Sequence, residues 1–296
     1  MKTGALLKET YQEWSRDKGP RLGAALAYYA IFSIPPLMVI VLAVLGFFYS
    51  DDVSGRLSGE LASLIGDDTA KALLTGIQAT SQKGGIIASI VGIAVLLFGA
   101  SGVFGELQDA LNTIWGVRPK EQGLKGLLRG RFTAFTMVLG ICFLLLISLI
   151  VSAIVAAASD ILASWLPGGQ ILGRLLAFVA SVAVITFLFA MIFKILPDVE
   201  IQWADVWIGA FATSLLFSAG KFVIGTYIGK AGIGSGYGAA GSTIVLITWI
   251  YYSAQILFFG AEFTQVYARR HGSQIVPKPT AELVPEPSQT ERSSAA

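Results

Sequence analysis

The stretch Ile171–Ile195, ILGRLLAFVASVAVITFLFAMIFKI, decides the fold. Between Arg174 and Lys194 lie 19 residues without a charge. An α-helix rises 1.5 Å per residue, so this run covers about 28 Å, close to the roughly 30 Å hydrocarbon core of a bilayer. A segment in oil has no water to satisfy its amides, so it must be helical. Five more stretches read the same way, at about 22–49, 84–104, 132–158, 206–228 and 242–267. The whole chain of 296 residues is 54% hydrophobic and 14% charged. A soluble domain carries about 25% charged residues, so most positions here face lipid or other helices. The expected fold class is all-α: a polytopic membrane protein with six transmembrane helices.

The segments between the spans carry their own patterns. Residues 1–21 mix charged and apolar positions and predict an amphipathic helix near the membrane surface. The apolar run that follows is too long for the core of a cleavable signal. Within it, Pro35-Pro36 removes two backbone donors and predicts a kink or break. Between spans 1 and 2, Val53, Leu57, Leu61 and Leu64, then Leu73, Leu74 and Ile77, recur at helical spacing and predict two short amphipathic helices. The second helix is expected to run past the membrane to Trp115. Leu107, Leu111, Ile114 and Trp115 share one face, Glu106, Asp109 and Thr113 another, and Gly116 and Pro119 stop it. Residues 269–296 are rich in Pro, Ser and Glu and are expected to be a disordered cytoplasmic tail.

Lysine and arginine gather on one side of this topology. With the N-terminus inside, the cytoplasmic segments hold 15 of the 21 basic residues and the outer side holds Arg56, Lys71, Lys83, Arg174, Lys221 and Lys230. Both termini are therefore expected in the cytoplasm. Phe98-Gly99-Ala100 and Phe259-Gly260-Ala261 are alike but do not sit at matching positions of the two halves, so no repeat is read.

Little here resembles catalytic machinery. The single histidine, His271, lies in a polar tail, and the single cysteine, Cys142, lies in an apolar run. Metal-assisted hydrolysis needs clustered ligands around an activated water. No enzyme activity, cofactor, metal or nucleic-acid partner is expected. Gly236 to Gly241 fits a dinucleotide fingerprint, but that motif needs a preceding strand, and here membrane helices flank it.

The polar residues within or beside the spans are the candidates for a pathway. Lys221 lies late in the fifth span and either serves an anionic ligand or snorkels to the outer interface. Glu106 and Asp109, one turn apart, could share a face as a carboxylate-only magnesium site or line a vestibule, and more often such a pair is the wet side of an amphipathic helix. Glu262 and Lys194 lie at the cytoplasmic ends of their helices, Gln255 is up to two turns deeper, and Tyr237 sits in a Gly-rich outer hinge.

Several local patterns together resemble the YihY/BrkB family of bacterial inner-membrane proteins. They are Ala25-Leu26-Ala27-Tyr28-Tyr29 with Ser33 and Pro35-Pro36, and Gly105 with Leu107 to Trp115. Lys194-Ile195-Leu196-Pro197-Asp198 with Trp203, Gly209-Ala210 and Tyr227 follow. The last are Tyr237-Gly238 to Gly241, Trp249-Ile250-Tyr251 and Gly260-Ala261-Glu262. The resemblance runs over about residues 15–270. It implies a six-span, multi-pass protein of the cytoplasmic (inner) membrane. Members carry labels as virulence or serum-resistance factors and as ribonuclease BN, the last at odds with a chain that lacks a histidine-rich motif. The family also implies a role in moving lipids, and it supplies no catalytic residues to carry over.

These readings predict a transporter or lipid flippase-like protein of the cell envelope. Glu106, Asp109, Lys194 and Glu262 would form an inner vestibule, with Lys221 and Tyr237 outside. Its partners would be membrane lipids, including an anionic lipid as substrate. The alternative is a non-transporting scaffold for envelope assembly.

Overall fold

The computed structural model describes residues 3–48, 102–120, 169–231, 241–271 and 275–284. The expected third span, the segment 51–80, Tyr237 and most of the second span lie outside these residues. The described part is built from six helices. They are α1 (Thr3–Arg16), α2 (Gly19–Phe48), α3 (residues 102–114), α4 (Gly169–Ile195), α5 (Trp203–Ala231) and α6 (Gly241–Arg270). Four short strands accompany them: β1 (Val117–Pro119), β2 (Val199–Glu200), β3 (Val276–Pro277) and β4 (Ala281–Leu283).

Three of the helices carry apolar runs long enough to cross a bilayer, at Leu175–Ile195, Trp203–Ile224 and Thr243–Arg270. Their surfaces have the polarity of a protein in oil. Phe178, Val179, Phe211 and Phe222 point outward, Phe222 at 76% exposure. Thr186, Thr213, Ser214 and Thr264 point inward and are buried. Their hydroxyls are satisfied within the helices. Thr186 Oγ1 donates to the Val182 carbonyl at 2.7 Å and lies 2.8 Å from Ser214 Oγ on α5, which ties α4 to α5.

Helix α6 is the hub. It packs against α5, α2 and α1. Its contact with α5 is antiparallel and reciprocal. A methyl built on Gly209 of α5 would lie 1.8 Å from Thr264 Oγ1 of α6, and one on Gly260 of α6 would lie 2.0 Å from Thr213 Oγ1 of α5. Each threonine therefore sits over the partner helix's glycine. Each also donates to a glycine carbonyl one turn back in its own helix, Thr213 to Gly209 and Thr264 to Gly260, both at 2.7 Å. Small residues at such crossings let backbones approach closely, the main source of helix cohesion in lipid.

Helix α2 runs through Pro35 and Pro36 to Phe48 as one helix, so the prolines do not break it. Prolines are tolerated in membrane helices where neighbours re-satisfy the freed carbonyls. One expectation is corrected. The stretch after Arg269 is not uniformly disordered, because β3 and β4 lie within it. β4 pairs antiparallel with β1, Arg118 opposite Glu282, and β3 pairs antiparallel with β2, Val199 opposite Pro277. These strands of two or three residues borrow their order from the backbones they join.

Gly209→Ala and Gly260→Ala should each destabilise the protein by about 1–3 kcal/mol, the usual cost of overpacking. Gly105→Ala, where a methyl meets nothing within 4 Å, should stay within about 0.5 kcal/mol of wild type. Thermal unfolding in detergent, followed by circular dichroism, checks the contrast.

Candidate functional site

The described helices converge at one end, which carries α1, the start of α2, the ends of α3, α4 and α6, and all four strands. Two polar constellations occur there, one under the strands and one at the elbow between α1 and α2.

The first forms around Asp198, in the tight turn after Pro197 ends α4. Its Oδ2 accepts from Gln108 Nε2 at 3.1 Å and from Asn112 Nδ2 at 2.9 Å. Its backbone N–H donates to Asn112 Oδ1 at 2.8 Å. Helix α3 reads Asp198 this way because Gln108 and Asn112 are four apart on one face. That helix stops at Gly116, whose φ of +64° suits glycine, and the Gly116 carbonyl then accepts from Val284 N at 2.9 Å. The strand segment 275–284 closes over the turn. Lys278 N donates to the Asp198 carbonyl at 2.9 Å, and Lys278 Nζ donates to the carbonyls of Pro197 at 2.7 Å and Ile195 at 3.1 Å. Burial pushes the Lys278 ammonium below the ordinary lysine value, and Asp198 partly restores it. Arg118 Nε meets Glu282 Oε1 at 2.8 Å on the outside.

The second constellation is the elbow. Lys18 adopts φ +56°, which reverses the chain between α1 and α2. Helix α1 is held on α6 by Glu9 and Glu13, whose carboxylates meet Arg269 and Arg270. Trp14 packs edge-on against Phe259, its indole directly over Gly19. Beneath the elbow lies Glu262, 1% exposed. Burial raises the Asp17 carboxyl above its usual range, and Arg16, 3.5 Å from Oδ1, opposes this. Gln255, two turns deeper on α6, reaches the Gly19 carbonyl at 3.5 Å and lies over Gly23. Glu262 Oε1, Gln255 Oε1 and Trp14 Nε1 are buried without a hydrogen-bond partner among the described residues.

The residues singled out from sequence thus divide between places. Glu262 and Gln255 belong to the elbow. Lys194 belongs to the turn, where Nζ donates to the Ile201 carbonyl and lies 5.5 Å from the Trp203 ring centre. Glu106 is half-buried on α3. Burial and the neighbouring Asp109, which is exposed, both raise its carboxyl. Lys221 is exposed on α5 next to Phe222 and Val223, three residues before its apolar run ends at Ile224. Of the four residues expected to share an inner vestibule, Lys194 is bonded within the turn and Glu262 is buried on α6. Sequence reading missed Asp17, Glu13 and Trp14, whose elbow is marked only by the helix-breaking Lys18-Gly19-Pro20.

Lipid-facing apolar helices, hydroxyls turned inward and a polar end cap define a helical integral membrane protein. The model of the virulence factor BrkB family matches residues 10–284, and the chain belongs to that family. It is similar to a UPF0761 membrane protein of Tolumonas auensis, 29% identical over 85% of this chain and 82% of that one. It is also similar to UPF0761 membrane proteins of Pseudomonas paraeruginosa and Rhodospirillum centenum. Each is 26% identical, over 83% and 85% of this chain. The match spans only 58% and 54% of the lengths of those two relatives. No solved structure matches the chain.

Lys278→Ala should expose residues 275–284 to protease about tenfold faster, since two hydrogen bonds from a charged donor, one of them partly buried, are lost. Arg118→Ala, which breaks an exposed pair, should change the rate less than about twofold. Limited proteolysis in detergent measures both. The Glu9 carboxyl, raised by burial but lowered further by Arg269 and Arg270, sits below the ordinary glutamate value. Its contribution to α1 docking is present above that value and fades as pH falls through the depressed folded value. Hydrogen exchange of α1 at pH 3 and pH 6 should show weaker protection at the lower pH.

Proposed function

We propose that this protein is a transporter of the lipid flippase type, without enzymatic activity, in the cytoplasmic (inner) membrane. In this reading it has six spans and both termini in the cytoplasm. One observation carries the proposal. A groove of about 320 Å³ lies between α2 and α6, lined by Ala24, Ala27, Tyr28, Ile31, Phe32, Ile247 and Tyr251. That volume is near the lower end of small-molecule sites. Its walls are apolar, and Tyr28 and Phe32 are each 61% exposed. One turn beyond Tyr251, α6 presents Gln255, whose Oε1 is unpartnered among the described residues. Apolar walls leading to a polar end suit a molecule with a tail and a head group. Lys221, exposed near the end of α5, would attract an anionic head group from the interface.

The full chain reconstituted in liposomes with a labelled anionic phospholipid should equilibrate the label between leaflets faster than empty vesicles. Ala24 is exposed in the groove wall, so Ala24→Trp should fill the groove and slow exchange about tenfold. Wild-type exchange no faster than in empty vesicles would overturn the proposal and favour the scaffold reading. So would an unaffected rate in a well-folded Ala24→Trp protein.

A further inference from the structure

The groove between α2 and α6 ends, on the elbow side, at an arginine. Arg21, Ala24, Tyr28 and Phe32 of α2 are all exposed and recur at helical spacing, so they share one face. Ala24, Tyr28 and Phe32 line the groove opposite Tyr251 of α6. The rings of Tyr28 and Phe32 lie 4.7 Å apart between centroids. From Ala24 to Phe32 this wall extends about 12 Å along the helix, and Arg21 stands about 4.5 Å beyond it. Side chains on a helix lean toward its N-terminus, so Arg21 leans away from the groove and toward the elbow. The apolar run of the first span begins at Leu22, which puts Arg21 at its edge, where a cation reaches the headgroup layer.

This arginine has no counter-charge among the described residues. No ion pair among them includes it, and the first turn of α2 holds no acidic residue. The carboxylates of α1 are occupied: Glu9 by Arg269 and Arg270, Glu13 by Arg16 and Arg269, and Asp17 by Arg16. Lys18, at the joint before α2, is also exposed and in no ion pair among the described residues. From α6 the groove's end receives Gln255, which lies over Gly23 and is uncharged. A positive rim above apolar walls complements an amphiphile with an anionic head and an apolar tail. Among anionic heads, a phosphate matches the guanidinium best, because two parallel N–H···O bonds form at once.

We propose that Arg21 binds the phosphate of a membrane phospholipid whose acyl chain lies along Ala24, Tyr28 and Phe32. The assignment rests on reading the groove as a lipid site, and it adds the group by which the lipid is recognised there. Lys18 strengthens the attraction for a head group of net negative charge. Helix α5 begins at this end of the bundle and Lys221 lies toward its far end, so Lys221 and Arg21 do not share a site.

The test measures binding to the full chain in detergent, so its outcome is separate from that of the exchange assay. Native mass spectrometry follows titrations with phosphatidylglycerol, with diacylglycerol of the same acyl chains, and with inorganic phosphate. Wild type should bind phosphatidylglycerol at least about tenfold more tightly than either fragment, since each lacks one half of the contact. Arg21→Ala should weaken phosphatidylglycerol binding about tenfold, the loss expected for hydrogen bonds to a charged group. Arg21→Lys, which keeps the charge and loses the fork, should weaken it about threefold. Ala24→Trp should weaken it about tenfold, because chain and head group occupy one site. Lys8→Ala, which removes an exposed cation of α1 outside the groove, should stay within about twofold of wild type. Circular dichroism checks that each variant is folded. Equal affinity in wild type and a folded Arg21→Ala protein would overturn the proposal, and so would binding that Ala24→Trp leaves unchanged. Diacylglycerol bound as tightly as phosphatidylglycerol would remove the phosphate from recognition, and inorganic phosphate bound as tightly would remove the lipid. Arg21-dependent binding without accelerated exchange in liposomes would support this site and count against transport alone.

Discussion

The close crossing of α5 and α6 is the contact on which the rest of the arrangement depends. In lipid, helices gain nothing from hiding apolar surface from their surroundings, so cohesion comes from fit and from hydrogen bonds. Gly209 and Gly260 supply the fit, and Thr213 and Thr264 fill the space each glycine leaves. The hydroxyls cost nothing in unsatisfied bonds, because each donates within its own helix. With α6 fixed at the centre, its other faces can carry α2 and α1. The groove and the elbow are both consequences of where α6 stands.

The same end of the bundle is fastened twice more. The Asp198 turn is read by α3 through Gln108 and Asn112, and the 275–284 segment covers it through Lys278. Several of the residues that mark the family resemblance, Lys194 to Asp198 and the Gln108 to Asn112 face, fall in this fastening and not along the groove. Their chemistry is that of a structural clasp: carbonyls of the turn are capped by lysines, and one carboxylate is held by two amides. Glu262, from the last family-like pattern, has a different character. It is buried, and its Oε1 has no hydrogen-bond partner among the described residues, which costs stability. Groups that oppose stability in this way are where function concentrates.

Much of the architecture is legible in the sequence. The apolar runs give α4, α5 and α6 to within a few residues, because hydropathy is read by the same bilayer length that selects the helices. The buried face of α3, Leu107, Leu111, Ile114 and Trp115, follows from its spacing, and Gly116 ends it as glycine should. The clasp is not legible, because strands of two or three residues have no period and because Lys278 and Lys194 bond backbone carbonyls, which every residue possesses. The burial of Glu262 is not legible either. Helix α1, which packs on α6 there, lies almost the whole chain away, on a segment whose mixed charge suggests only a wet surface helix.

The central claim is that α4, α5 and α6 cross the membrane and that α1 and the strand clasp share one side of it. Single cysteines placed in a Cys142→Ser background and probed with an impermeant thiol reagent test it directly. Lys8→Cys and Leu283→Cys should label from the same side. Phe187→Cys and Leu215→Cys, on outward faces in the middle of α4 and α5, should label from neither. Labelling of the first two from opposite sides, or ready labelling of the mid-helix positions, would contradict the account.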